Sequence, residues 1–199
     1  MTAHQQEFSK LGYIGMAQPR SVDRGEWYTP ALYMESVRAV LGEIDFDPYS
    51  DHIANLVVQA YRIRTKETPP SCRDFLPKNG RYSCKTVFLN PPYGRGLIEK
   101  AVGEFIAEFA RLRFQGIMLV NNATETKWFQ ILLHHASALC LTDHRIAFYN
   151  VDGKAVSGNT RGQAFIYFGE NSDRFLTEFS KFGFCTHIIT QENHDPAMH

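Results

Sequence analysis

The sequence predicts an α/β fold: a mainly parallel sheet with helices on both faces and an antiparallel strand at its edge. Three observations carry that expectation. Unbroken apolar runs such as Thr86-Val87-Phe88-Leu89 and Gly116-Ile117-Met118-Leu119-Val120 read as strands buried on both faces, since a strand with one wet face alternates apolar and polar residues. Between them Ile98, Ala101, Val102, Phe105, Phe109 and Leu112 recur at helical spacing. Strand and helix thus alternate along the chain, the pattern of crossover units rather than of hairpins.

Each element follows in order. Residues 1–23 mix Gln, Ser, Gly and charges without a sustained period and read as an N-terminal arm, residues 24–191 as a single domain, and residues 192–199 as a polar tail. Thr29-Pro30 is a helix start, with Thr29 as N-cap and Pro30 in the first turn; Tyr33, Val37, Val40 and Leu41 then share a face, and Gly42 is a natural stop. A short strand over residues 44–48 ends in Asp45 and Asp47, followed by a helix near 54–60 and an extended piece near 61–64. Turn signals at 69–71 and 78–80 bracket Asp74-Phe75-Leu76 ahead of the strand at 86–89. Residues 127–135 look helical and 138–141 extended, and 146–149 is expected to pair with 164–168 across a loop containing Asp152-Gly153. A last helix near 173–182 precedes a strand near 186–190.

Composition narrows the function. A chain of 199 residues with 44% hydrophobic content suits one domain with a proper core. No apolar run approaches the roughly 18 residues a membrane helix needs, and the polar start lacks the features of a signal peptide, so a soluble cytoplasmic protein of a bacterial or phage-infected cell is expected. The 21 Lys and Arg balance the 21 Asp and Glu, which argues against a uniformly basic nucleic-acid binder. Residues 62–100, however, hold nine Lys or Arg against three acids, and a local net charge of +6 can neutralise phosphates whatever the distant surface carries. An ordinary solvated face is the alternative reading of that stretch. The cysteines at 72, 84, 140 and 185 form no Cys-x-x-Cys pair, and the adjacent His134 and His135 point in different directions on a helix. Neither a metal site nor a disulfide framework is therefore expected.

Chemistry concentrates in Asn90-Pro91-Pro92-Tyr93, directly after a predicted strand. A specified tetrapeptide occurs by chance in such a chain about once in a thousand sequences. An exocyclic amine on an aromatic base is a poor nucleophile, because its lone pair is delocalised into the ring. The side-chain oxygen of Asn90 and the backbone oxygen of Pro91 could accept from its two hydrogens and stabilise positive charge developing on nitrogen, with the prolines holding both oxygens still. Tyr93 would offer its ring to the face of a base that has left its duplex. The plainer alternative is a rigid turn after a buried strand, with Tyr93 packed on the next helix. Asp45-Phe46-Asp47-Pro48 also ends a predicted strand, so both segments converge where doubly wound sheets place their ligand crevice.

Taken together, these segments resemble the phage-type DNA N6-adenine methyltransferases, small enzymes of the Rossmann-like class I methyltransferase fold. The likeness runs from about Glu26 to Phe168, through Glu26-Trp27-Tyr28-Thr29-Pro30, Phe46-Asp47-Pro48, Asn55, Asp74-Phe75-Leu76 and Val87-Phe88-Leu89-Asn90-Pro91-Pro92-Tyr93-Gly94, in the family's order. Further on, Thr126-Lys127-Trp128-Phe129 resembles a Thr-x-Trp-Phe segment, and His144-Arg145-Ile146-Ala147-Phe148 a Gly-Arg-x-x-Phe segment in which His144 replaces the glycine. The first cofactor motif of many methyltransferases holds a glycine-rich turn, which residues 46–51 lack.

The resemblance implies S-adenosyl-L-methionine as cofactor, DNA as partner, and Asn90, Pro91, Pro92 and Tyr93 as the catalytic loop. It places Tyr28, Thr29, Pro30, Asp45, Asp47, Pro48, Asp74 and Phe75 on the cofactor side, with Tyr28-Thr29-Pro30 near the methionine part and Asp74 accepting from the adenine amine. A helix N-terminus suits a carboxylate; a simple N-cap at Thr29, or solvated turns at Asp47 and Asp74, are the alternatives. Phe148 is a candidate second wall against the base and Arg145 a phosphate or base contact, though Phe148 could equally be core. The expected activity is methylation of the adenine N6 amine in DNA. Its rivals are methylation of an RNA base, cytosine N4 or a protein glutamine, and a non-catalytic DNA-binding module on the same fold.

Overall fold

A computed structural model of the chain describes residues 27–65, 84–93, 96–150, 153–155 and 160–189. Along the chain come α1 (Ala31–Leu41), β1 (Ile44–Asp47), α2 (Asn55–Val58), β2 (Ala60–Ile63), β3 (Thr86–Leu89), α3 (Leu97–Leu112), β4 (Gln115–Asn121), α4 (Lys127–His135), β5 (Ala138–Thr142), β6 (Gln163–Phe168), α5 (Ser172–Phe179), a 3-10 turn over Ser180–Phe182, and β7 (Gly183–His187).

The described strands form one sheet in the order β2-β1-β3-β4-β6-β5-β7. The first four run parallel, with Phe46 level with Val87 and Leu89 with Met118. Successive side chains on a strand face opposite sides, and the core divides accordingly. Phe88, Ile117, Leu119, Phe165 and Tyr167 point into a cluster under α1, α2 and α5. Val87, Leu89, Met118, Val120, Ile166 and Phe168 point into a second cluster under α3 and α4. Helices on both faces explain why these strands read as continuous apolar runs.

β7 supplies the antiparallel strand expected at the edge, but β6 is antiparallel as well and lies inside, between β4 and β5. The expected pairing of 146–149 with 164–168 is therefore corrected. Both edges of β6 are already taken by β4 and β5, and Tyr149 instead bridges Tyr28 and Ala155. The last strand begins at Gly183 rather than near 186, because the chain turns tightly there. A Cβ on Gly183 would sit 2.1 Å from the Leu141 carbonyl oxygen, so only glycine permits the approach.

Two local features set the approach to the crevice. α1 ends as expected at Gly42, whose φ of 78° lies in the left-handed region and whose N–H returns to the Arg38 carbonyl. Its start differs: Pro30, not Thr29, is the N-cap, and no side chain caps the helix. α2 is a single turn closed by Asn55, whose side chain accepts from Ala60 N–H (2.8 Å) and donates to Ala60 C=O (3.1 Å), so that β2 can begin at once. The sheet order reverses at β1, with β2 on one side and β3 on the other, and a crevice opens beyond the carboxyl ends of strands at such a switch point.

Candidate active site

Asn90 follows the last residue of β3, at the open end of the switch point. Its side-chain NH2 donates to the Trp27 carbonyl (3.3 Å) and to the Thr29 hydroxyl (3.4 Å). A carbonyl can only accept, so this pairing fixes which way the amide faces and turns Oδ1 away from the 27–29 segment. Among the described residues Oδ1 takes no hydrogen bond. Thr29 is spent on Asn90 rather than on a cap, which corrects the N-cap expectation and ties the entry to α1 to the Asn90 loop.

Pro91 is buried and Pro92 exposed. Tyr93 does two things at once. Its hydroxyl end is enclosed, donating to the Leu119 carbonyl (3.4 Å) and accepting from the backbone of Asn121 at the end of β4, and burial drives its ionisation far above the ordinary phenol value. The residue as a whole is still 41% exposed, so the ring stands at the surface while its tip is anchored. A packed turn residue would be enclosed along its whole length, and Tyr93 is not.

On the neighbouring strand Asp47 closes β1 and is only 3% exposed. Its Oδ1 accepts from Tyr49 N–H at 3.1 Å. Burial pushes the carboxyl up to about 7, the Tyr49 N–H and Ser50 hydroxyl pull it partly back, and the charge of Asp51 adds to the rise. Pro48 is held through its carbonyl, which accepts from Arg64 Nε (2.9 Å), while Arg64 N–H meets the Asp47 carbonyl (3.1 Å). The Arg64 guanidinium continues to Glu104 of α3 (2.9 Å) and lies over the Tyr49 ring, whose hydroxyl reaches the same Glu104 oxygen (3.1 Å). Tyr28 is buried, its backbone paired with Tyr149 and its hydroxyl on Asp51 (3.0 Å). Asp51 in turn accepts from the N–H groups of Ile53 and Ala54, both at 2.7 Å.

The structure thus brings Tyr28, Thr29, Pro30, Asp47, Pro48, Asn90, Pro91, Pro92 and Tyr93 to one end of the sheet, and it separates two others from them. Asp45 belongs to the opposite end. Its carboxylate accepts from the backbone N–H of Lys85 (2.6 Å) and Thr86 (3.1 Å), stitching β1 to the beginning of β3, so its place on the cofactor side is withdrawn. Phe148 is 8% exposed and packs in the core cluster with Tyr28 and Ile146, which leaves it no face for a base. Arg145 is exposed, and its neighbours are pinned: His144 Nε2 shares a 2.7 Å hydrogen bond with the Tyr33 hydroxyl, and Ile146 N–H donates to Gln163 Oε1 (2.9 Å). Asp74 and Phe75 lie outside the described residues.

Sequence reasoning missed Arg64, Glu104 and Gln163. Gln163 had a readable signal, an amide directly ahead of the apolar run Ala164-Phe165-Ile166-Tyr167-Phe168. Buried there at 1% exposure, it donates to Arg161 C=O (2.7 Å) and fixes the 144–146 segment to the crevice end of β6. Arg64 and Glu104 lie 40 residues apart and meet only through the fold.

A parallel sheet with a switch point at β1, extended by an internal antiparallel strand and covered on both faces, is the Rossmann-like methyltransferase architecture, and an Asn-Pro-Pro-Tyr loop stands at its open end. The model of the DNA N-6-adenine-methyltransferase (Dam) family matches residues 17–191, and the chain belongs to that family. A comparison with curated proteins gives no match. Among the described residues no helix is long and apolar enough to cross a membrane, and no group of three or more His, Cys, Asp or Glu could hold a metal ion.

Proposed function

We propose that this protein transfers a methyl group from S-adenosyl-L-methionine to the N6 amine of an adenine in DNA. The observation that carries the reading is the fixed Asn90 amide: Trp27 and Thr29 hold its NH2, leaving Oδ1 as a preset acceptor at the mouth of the crevice. The Pro91 carbonyl is the second acceptor, so the two amine hydrogens of a base seated against Tyr93 each find an oxygen. As the amine attacks, positive charge develops on nitrogen, and acceptors that need no reorganisation stabilise the transition state more than the ground state. The base must leave the duplex for in-line attack, and the Tyr93 ring is the surface it lands on.

The donor set suits the cofactor. The backbone N–H groups of Ala31 and Leu32 at the start of α1 have no acceptor among the described residues, since Pro30 C=O takes only Tyr33 and Met34 N–H, and a helix N-terminus favours an amino-acid carboxylate. The buried Asp47 can accept from hydroxyl or ammonium donors. When bound there, the cofactor supplies a methyl group on a sulfonium. The chain's part is to orient the amine and keep the 47–51 loop in place through Arg64 and Glu104. We assign the activity to one domain over 24–191, with 1–23 as an arm and 192–199 as a tail, and take Arg145 as a DNA contact.

Incubation with methyl-labelled cofactor and duplex DNA, RNA or protein tests the reading. Label in DNA that digests to N6-methyl-2′-deoxyadenosine supports it; label confined to RNA, cytosine or protein overturns the substrate. Absence of cofactor binding by calorimetry would leave the non-catalytic module.

A further inference from the structure

The sequence spacing of the cysteines suggests no pairing, yet the fold sets two of them face to face. β5 and β7 run antiparallel with Cys140 directly opposite Cys185. The phase of the ladder can be read from its ends. Ile188 N–H donates to Ser137 C=O and Asp143 N–H to Phe182 C=O, both at 3.0 Å, marking Ser137/Ile188 and Asp143/Phe182 as hydrogen-bonded pairs. Such pairs alternate with non-hydrogen-bonded ones, so Cys140/Cys185 falls in the second set, where opposed Cα atoms lie about 4.5 Å apart and side chains approach closest. Disulfides span Cα separations of about 4.4–6.8 Å, so the backbone already stands within range.

The side chains share a face: Cys140 lies inside the cluster under α5 and Cys185 packs against it. The Cys140 thiol donates to the Phe179 carbonyl (3.6 Å) and the Cys185 thiol to the Gly183 carbonyl (3.7 Å). Both are free thiols. They differ in access, Cys140 being fully buried and Cys185 half-buried. Burial raises both above the ordinary thiol value, and its greater access makes Cys185 the thiol that reacts first.

We propose that Cys140 and Cys185 are a modification site: a cross-strand dithiol that closes to an intramolecular disulfide when a low-molecular-weight disulfide, such as oxidised glutathione, reaches the sheet edge. The Cys185 thiolate attacks one sulfur of the small disulfide, forming a mixed disulfide and releasing one small thiolate. Cys140 then gives its proton to solvent and attacks the Cys185 sulfur, releasing the second small thiolate. Two protein thiols are oxidised and one small disulfide is reduced to two thiols. The link joins edge strand β7 to β5 and closes a loop of over 40 residues, which raises stability chiefly by restricting the unfolded chain. β5 is three strands from β3, about 15 Å from the Asn90 strand, so methyl transfer should be untouched.

Full-length protein is treated with oxidised glutathione, alkylated in denaturant and digested with trypsin, with mass spectrometry as readout. The expected product is peptide 128–145 joined to peptide 182–199, two hydrogens lighter than their sum, in wild type and in a Cys72→Ser/Cys84→Ser double variant. It should vanish in Cys185→Ser and in Cys140→Ala. The linked protein should melt at least about 5 °C higher, reversibly with dithiothreitol. Glutathione retained on Cys185 with Cys140 still free, a Cys72–Cys84 link as the sole product, or a linked protein with unchanged melting would each overturn the proposal.

Discussion

Replacing Asp47 with Asn removes a buried charge and keeps its shape. Asp47 is 3% exposed at the end of β1, with Oδ1 accepting from Tyr49 N–H, and burial pushes its carboxyl from 3.8 to about 7. A folded-state value above the unfolded one means that the native chain binds this proton more tightly. The associated stability is fully present below about pH 4 and is lost as pH rises through about 7. A shift of about three units corresponds to about 4 kcal/mol, an upper bound on what the ionised group costs the unliganded fold at pH 8. The amide of the variant has no such titration and can still accept from Tyr49. Urea unfolding at pH 5, 6, 7 and 8 should therefore show Asp47→Asn more stable than wild type, with a gap that widens by about 3 kcal/mol from pH 5 to pH 8 and then levels. Affinity for S-adenosyl-L-methionine should fall in the same variant, because a neutral amide accepts from hydroxyl or ammonium donors more weakly than a carboxylate does. A gap independent of pH, or a variant less stable at pH 8, would show that the reasoning about Asp47 is wrong.

Asn90→Ala should leave cofactor binding by calorimetry nearly intact and lower the methylation rate at least about a hundredfold; Asn90→Asp should be no better, since a carboxylate cannot donate to Trp27 C=O. Tyr93→Phe loses the hydroxyl bond to Leu119 and should cost about 1 kcal/mol of stability by urea titration while keeping the platform. Tyr93→Ala should instead raise the KM for DNA severalfold or more, and equal kinetics in the two variants would contradict stacking. Gly183→Ala, whose Cβ would meet backbone at 2.1 Å, should lower unfolding free energy by more than about 2 kcal/mol with a visible loss of soluble yield.

Much of this fold follows from local pattern. The helix over 127–135, the strand and helix flanking the Asn90 loop and the Gly42 stop were all readable, because burial on both faces and helical periodicity are written in consecutive residues. The places of Asn90-Pro91-Pro92-Tyr93 and Asp47 were legible for a related reason: each stands at the end of a segment readable as a strand. What consecutive residues cannot encode is which strands become neighbours. That β6 enters between β4 and β5 rather than pairing with 146–149 depends on competition for strand edges. The same pairing decided that Asp45 faces Lys85 and Thr86 instead of the crevice, that Phe148 goes to the core, and that Arg64 meets Glu104 across 40 residues. It also set Cys140 against Cys185, 45 positions along the chain. By itself the sequence determined most of the elements and the place of the Asn90 loop among them. The tertiary structure alone decided the partners, because hydrogen-bonded edges and packed faces are filled by whichever segments the whole chain can bring there.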